Sequence, residues 1–271
     1  MSAHRPWFAF AILGLGLIFL YVPTLVVIVT SFNDSRLAGV WTGFSVRWYG
    51  ELFSDGQFLR AAANSLIVAA ASASIAAVLG TCAGVALARF GLFRGRMILS
   101  GLIATPLVLP EIIIGLSLLL VFVAVEQAFG LSSGRCLGTI VVAHATVAMT
   151  YVAYIVQARI SGMARDVEEA AADLGAPPFK VFTAVTLPMI LPAVAAGWLL
   201  AFVLSLDDLV IASFTSGPQS TTLPMAIFSA VRLGISPKIN ALATLLVLFS
   251  AACLALAAWL QVRKTGRLTT A

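Results

Sequence analysis

The stretch "ISGMARDVEEAAADLGAPPFKVFTAVTLPMILP", residues 160–192, decides how the rest of the chain is read. It separates two apolar runs, yet it is no simple linker. Asp166 suits a helix N-cap, and Glu169 three residues on completes an Asp-x-x-Glu variant of the capping box. The alanines that follow are the strongest helix formers. Val167, Ala170, Ala171 and Leu174 fall at i, i+3, i+4 and i+7, which makes one apolar stripe. Gly175 is a natural C-terminal stop. Pro177 and Pro178 prevent continuation, and Pro178 suits the opening position of a second helix. That second helix is expected to run toward Thr186 and to be checked near Pro188. Two readings of such a hairpin stay open: a ridge of small side chains that docks into a partner's groove, or a helical pair packed on its own bundle.

Working outward, the flanks are membrane-like. Of 271 residues, 61% are hydrophobic and only 10% charged, against about 25% charged in an ordinary soluble domain. Six stretches are long enough to cross a bilayer: Phe8–Thr30, Ala62–Ala88, Met97–Val123, Thr139–Gln157, Leu191–Ala212 and Ile239–Val262. Backbone groups in lipid must be satisfied internally, so all six are expected to be helices, in an all-α membrane protein. The first is expected to be a retained helix. It is too long for a signal peptide, and "VPTLVVIVTSFNDS", residues 22–35, has no small-x-small cleavage site.

The net charge of +5 is placed for orientation, not for nucleic acid. With the N-terminus inside, Arg5, Arg89, Arg94, Arg96, Arg159, Arg165, Lys180, Arg263, Lys264 and Arg267 fall in inner segments. Only Arg36, Arg47, Arg60, Arg135, Arg232 and Lys238 fall outside, in the longer segments. Both termini are therefore expected in the cytoplasm. Trp41, Trp48 and Tyr49 suit an interfacial aromatic belt. Arg232 and Lys238 suit either an acidic partner or plain solvation. Cys82, Cys136 and Cys253 are far apart and odd in number, and with His4 and His144 they make neither a disulfide framework nor a metal site. No metal and no cofactor are expected.

Three acids sit inside the apolar spans, where each costs roughly 2.5–3.5 kcal/mol on insertion scales. Asp207 and Asp208 lie in "AFVLSLDDLVIASF", residues 201–214, and Asp207 is 16 residues beyond Leu191, or ~24 Å along a helix. Glu111 is 14 residues beyond Met97, or ~21 Å by the same rise. Both spans share a P-x3-P-x4-G spacing: Pro106, Pro110 and Gly115; Pro188, Pro192 and Gly197. The acids are polar tolerances near an interface, packing hydrogen bonds, or the lining of a path for a cationic solute. Asp207 and Asp208 point ~100° apart, so at most one faces a pore squarely. Trp48 and Tyr49 are further path candidates through cation–π contacts. His144 reads as a hydrogen-bonded packing residue. "GPQSTTLP", residues 217–224, reads as a loop or short re-entrant piece.

The hairpin carries a longer signature. Glu169-Ala170-Ala171, three residues, Gly175, nine residues, then Val185-x-Leu187-Pro188 resembles the EAA loop of bacterial ABC-importer permeases, with Val185 where Ile is usual. "WYGELF" (48–53), "NSLIVAAASA" (64–73), "PLVLPEIIIGLSLLLVF" (106–122), "SLDDLVIASFTSGPQSTTLPMAIFS" (205–229) and "VRLGISPKINALATLL" (231–246) resemble permeases of polyamine importers, the putrescine systems in particular. The resemblance implies a type I (MetI-like) permease fold in one domain, residues 1–271, with a coupling loop at about 158–190. It implies a homologous second permease in a heterodimer, a periplasmic polyamine-binding protein, and the bacterial inner membrane as location. It also implies two cytoplasmic ATPase subunits, engaged through Glu168, Glu169, Ala170, Ala171, Asp173, Leu174 and Gly175. None of Lys180, Lys238 and Lys264 follows a glycine, so the chain has no Walker A lysine and hydrolysis must occur elsewhere. An ion-coupled secondary transporter would explain the acids but not the hairpin, and spermidine or another small solute remains an alternative cargo. No His-Glu-x-x-His or Gly-x-Ser-x-Gly pattern points to an enzyme.

Overall fold

The computed structural model describes residues 6–35, 40–130, 134–234 and 237–268, with side chains described as far as residue 255. Arg5 and Arg36, read above for charge placement, and His4, read above for metal binding, lie outside the described residues, as do the side chains of Arg263, Lys264 and Arg267. Helices are α1 (Pro6–Thr30), α2 (Arg47–Phe53), α3 (Gly56–Arg89), α4 (Arg96–Val108), α5 (Glu111–Phe129), α6 (Leu137–Ser161), α7 (Asp166–Asp173), α8 (Pro178–Val181), α9 (Leu187–Asp207), α10 (Val210–Thr215), α11 (Leu223–Leu233) and α12 (Pro237–Leu268). A π-helical turn, Phe182–Thr186, joins α8 to α9. Among the described residues, six helical stretches are long and apolar enough to cross a membrane. The all-α expectation holds: among the described residues the one β-like feature is an isolated bridge between Asn33 and Phe44.

Two compact units emerge. The larger comprises residues 60–225 and 250–271. Its core is built from small and branched side chains: Ala69, Ala73 and Ala76 of α3, Val152, Val156 and Ile160 of α6, and Ile190, Ala201 and Leu206 of α9. Without a hydrophobic driving force between helices in lipid, close van der Waals approach must hold them together. Gly80 and Gly84, one turn apart on α3, supply it: a Cβ on either would lie 2.7 Å from a backbone carbonyl oxygen of α6, that of Met149 or of Ala153. The smaller unit comprises residues 1–59 and 226–249. In it, Asn33 organises the segment after α1, giving its amide to the Val40 carbonyl and accepting the Thr42 N–H. Lys238 at the start of α12 bonds Asp55 at 2.6 Å, and Asn240 bonds Thr30 at 3.0 Å.

The third expected span is corrected. Met97–Val123 is not one helix: α4 ends at Val108, Leu109 is extended (φ −79°, ψ 140°), and α5 starts at Glu111. Pro110 causes the break, because its ring forces the preceding residue out of the α region. The spanning helix is therefore Glu111–Phe129, with Arg96–Val108 as a shorter apolar helix. The fifth span, expected at Leu191–Ala212, is corrected at both ends. The second helix of the hairpin is not checked near Pro188 but continues into the span, as one helical stretch from Pro178 to Asp207. Pro188 would clash with the Ala184 carbonyl in a regular helix, and Ala184 lies in the π turn, where the wider winding makes room. The helix ends instead at Asp207, and Asp208 is extended (ψ 124°) before α10.

Candidate functional site

Two constellations stand out in the larger unit. The first is a small cleft where helix breaks meet. α10 packs on α5 and α6, which brings the start of α5 beside the Asp208 break. Glu111, His144, Tyr151, Ser205 and Asp208 line the cleft. Glu111 occupies the first turn of α5, where the helix dipole favours an acid. The Asp208 carboxylate accepts the Ala212 N–H at 2.9 Å, satisfying an otherwise unpaired donor of α10. Of the expected path residues, the structure thus joins Glu111 and Asp208 and leaves Asp207 exposed. The ~100° divergence of adjacent side chains accounts for that split.

His144 completes the cleft. It is 4% exposed and its Nδ1 lies 2.7 Å from Ser205 Oγ. Its Nε2 lies 3.4 Å from Asp208 Oδ1, and Ser72 donates to Ser205 at 3.0 Å. The hydrogen-bonded packing expected of His144 is present, but the partners are members of the acid cleft. The signal that would have placed it there is the one that singled out the acids, an ionisable side chain inside an apolar span.

Trp48 and Tyr49 lie in the smaller unit and are committed to local structure. Trp48 is 4% exposed, gives its indole N–H to the Asn33 carbonyl at 2.6 Å, and carries Arg47 over its ring at 4.4 Å. The Tyr49 hydroxyl pairs with Ser31 at 2.7 Å. A buried indole whose N–H is taken cannot serve a lipid interface, so the belt reading fails for Trp48; Trp41 stays 53% exposed.

The second constellation is the hairpin of α7 and α8. Asp166, Glu168 and Glu169 fill the first turn of α7, favourably placed against the dipole. The capping box does not form. The helix begins one residue earlier, with Arg165 at the N-cap position and no side-chain cap bond. The acid that finds a partner is Glu168: Arg89 at the end of α3 reaches it at 3.0 Å, and Thr186 of the π turn donates to it at 2.8 Å. Gly175 ends α7 with φ +83°. Its N–H reaches the Ala172 carbonyl at 2.8 Å while that of Ala176 reaches Ala171 at 3.1 Å, the paired bonds of a Schellman stop. The apolar stripe is not packed inward: Val167 is 51% and Leu174 90% exposed, with Phe179 at 78% beside them. Glu169, Ala170 and Asp173 are exposed as well.

Among the described residues, six helical stretches long and apolar enough to cross a membrane, with an exposed hairpin ridge and a cleft of carboxylates at helix breaks, give the architecture of a multi-pass membrane protein. Residues 80–268 match the family described as "Binding-protein-dependent transport system inner membrane component". The chain is 54% identical over 244 residues, 90% of its length and 86% of the relative's, to the putrescine transport system permease protein PotI of Escherichia coli K12. It is 40% identical over 232 residues, 86% of its length and 85% of the relative's, to the spermidine/putrescine transport system permease protein PotC of the same strain. In fold it is similar to a chain of a bacterial ABC transporter for the acidic polysaccharide alginate, at TM-score 0.66 and 16% identity over 97% of this chain and 98% of that one. It is also similar to a chain of the inward-facing MetNI methionine ABC transporter, at TM-score 0.63 and 17% identity over 76% of this chain and 95% of that one. The chain belongs to the binding-protein-dependent transport system inner membrane component family. It is a permease subunit, a transport component of the inner membrane, with the type I ABC-importer fold.

Proposed function

We propose that this permease forms the path for a polyamine, putrescine above all, in an ATP-driven importer. The observation that carries the reading is the pairing of Glu111 and Asp208 in one cleft of an otherwise apolar bundle. Two ammonium groups lose hydration on entering the membrane, and a few carboxylates replace it. The site must stay weak, because a deep well would trap the guest. Relatives that carry the names of putrescine and spermidine/putrescine permeases support the same cargo. Asp207, exposed beside the cleft, acts at its approach.

The chain works as one permease domain, with both termini in the cytoplasm and the α7–α8 hairpin on the same side. It pairs with a homologous second permease, two cytoplasmic ATPases and a periplasmic polyamine-binding protein. The ATPases engage Glu169, Ala170, Asp173, Leu174 and Gly175, which this chain leaves exposed, with Ala171 half-buried among them. Glu168 works from the opposite side by fastening α7 to α3. Closure of the ATPase pair moves α7; the π turn and the unbroken helix from Pro178 to Asp207 carry that motion to the Asp208 break.

The test is reconstitution of the four components in vesicles, with ATP-dependent uptake of putrescine measured against spermidine. Uptake that survives ATP depletion while the membrane potential is kept would replace this reading with ion-coupled transport.

A further inference from the structure

His144 is nearly buried, faces a carboxylate, and belongs to a chain of hydroxyls whose direction is reversible. A neutral imidazole has one N–H and one lone pair, and a carboxylate only accepts. Nε2, 3.4 Å from Asp208 Oδ1, therefore carries the hydrogen. Nδ1 then presents its lone pair, so Ser205 donates to it across 2.7 Å and receives the Ser72 hydroxyl at 3.0 Å. Protonation of Nδ1 would reverse this order. Ser205 would accept from Nδ1–H and donate to Ser72, and Ser72 would turn to the Ala69 carbonyl, which already lies 3.2 Å from its oxygen. On the Nδ1 side every donor keeps an acceptor in both arrangements, whereas Nε2 makes no hydrogen bond and faces Asp208 only as a charge partner at 3.4 Å. A buried histidine used only for packing needs one protonation state; this one is provided for in two.

We infer that His144 is a positioning residue that sets how much charge the cleft offers: as imidazolium it is the resident counter-ion of Asp208 and withdraws that carboxylate from a passing ammonium group. The inference rests on the path reading given above. The neutral ring holds Asp208 loosely, for 3.4 Å is long for a hydrogen bond, and leaves the carboxylate free for a second cation. The protonated ring binds it as an ion pair. The titratable groups facing His144 are Glu111 from α5, Tyr151 from its own helix and Asp208 from the break before α10. Two of these are acids, so the imidazolium has partners of opposite sign, and its proton competes with the cargo for them.

The test compares pH profiles of putrescine uptake, divided by ATP hydrolysed, in the reconstituted four-component assembly. Division removes titration of the ATPases, and the binding protein is the same in parent and variants. From about pH 7.5 to about pH 5.5 the parent is expected to lose uptake about threefold to tenfold. His144→Gln keeps a donor toward Asp208 and has no proton to gain, so its profile is expected to be flat; His144→Asn serves where the longer amide disturbs assembly. His144→Lys, a fixed cation, is expected to be poor at every pH. A parent-like acid loss in the amide variants, or full uptake by His144→Lys, overturns the counter-ion role. Failure of the path reading looks different: Glu111→Gln and Asp208→Asn would both transport putrescine at the parent rate at about pH 7.5.

Discussion

The hairpin and the cleft each set an acid against a base from another helix, and they differ most in that base. Glu168 meets Arg89 and also accepts from Thr186, whereas Asp208 meets His144, whose other nitrogen is held by Ser205. The base decides what each can do. Arginine stays charged at any physiological pH, so α7 is fastened to α3 permanently. Histidine can gain and lose a proton, so on our inference the hold on Asp208 is conditional. The distances agree with that division, 3.0 Å at the hairpin and 3.4 Å in the cleft. A part that transmits force must not yield, whereas a part that passes cargo must release what it binds.

The largest expected effect breaks the hairpin side of this comparison. Gly175→Trp forces a residue with a Cβ into a left-handed conformation, at a cost of about 1–2 kcal/mol, and sets an indole on the exposed face. Nothing lies within 4 Å of a Cβ there, so insertion should survive. Uptake should be nearly abolished while ATP hydrolysis continues; normal uptake would remove the docking role. Next come the cleft acids. A hydrogen bond to a charged group is worth about 1.5–3 kcal/mol, so Glu111→Gln or Asp208→Asn is expected to lower putrescine uptake about tenfold or more, measured as initial rates.

A smaller effect sharpens the claim that the hairpin clasp is ionic. Arg89→Glu and Glu168→Arg should each lower uptake per ATP hydrolysed, and the double reversal should recover much of the loss. A double-mutant coupling energy of about 1–3 kcal/mol is expected, reduced from a fully buried pair because both groups retain some contact with water. Equal losses in singles and double would leave only packing. The smallest effect belongs to Lys238 and Asp55. Lys238 holds the Asp55 carboxyl below its usual value, chiefly through the hydrogen bond between them, against a smaller opposing desolvation. Because the folded value is depressed, the pair's stabilisation is complete above the ordinary aspartate value near 3.9 and is lost as pH falls through the folded one. Asp55→Asn should therefore cost at most about 1 kcal/mol. In thermal unfolding it should leave the pH dependence of stability unchanged between about pH 5 and pH 8.

The hairpin was legible because its signals are local. Acids in a first turn, a glycine that accepts positive φ, and a proline that opens the next helix each act within a few residues. Even there, the sequence pattern assigned the cap to Asp166 and the stop to Pro188, and both assignments failed: α7 already includes Asp166, and a π turn relieved Pro188. The tertiary contact the pattern could not show is Arg89, far away in the chain, on Glu168. The cleft was half legible. Acids in apolar runs are conspicuous, but their meeting point depended on where two helices break. Proline spacing could not decide that: the same P-x3-P-x4-G pattern breaks the chain at Pro110 and leaves it continuous through Pro188 and Pro192.

Sequence alone determined that this chain is an all-helical membrane permease with an alanine-rich hairpin, because lipid demands long apolar helices and the hairpin is written in neighbouring residues. Tertiary structure alone decided that Glu111, His144 and Asp208 share one cleft, that Asp207 does not line it among the described residues, and that Trp48 is a buried anchor. The reason is physical: a helix specifies its own bonds within one turn, but a break, a burial or an ion pair is settled by whichever distant atom arrives to complete it.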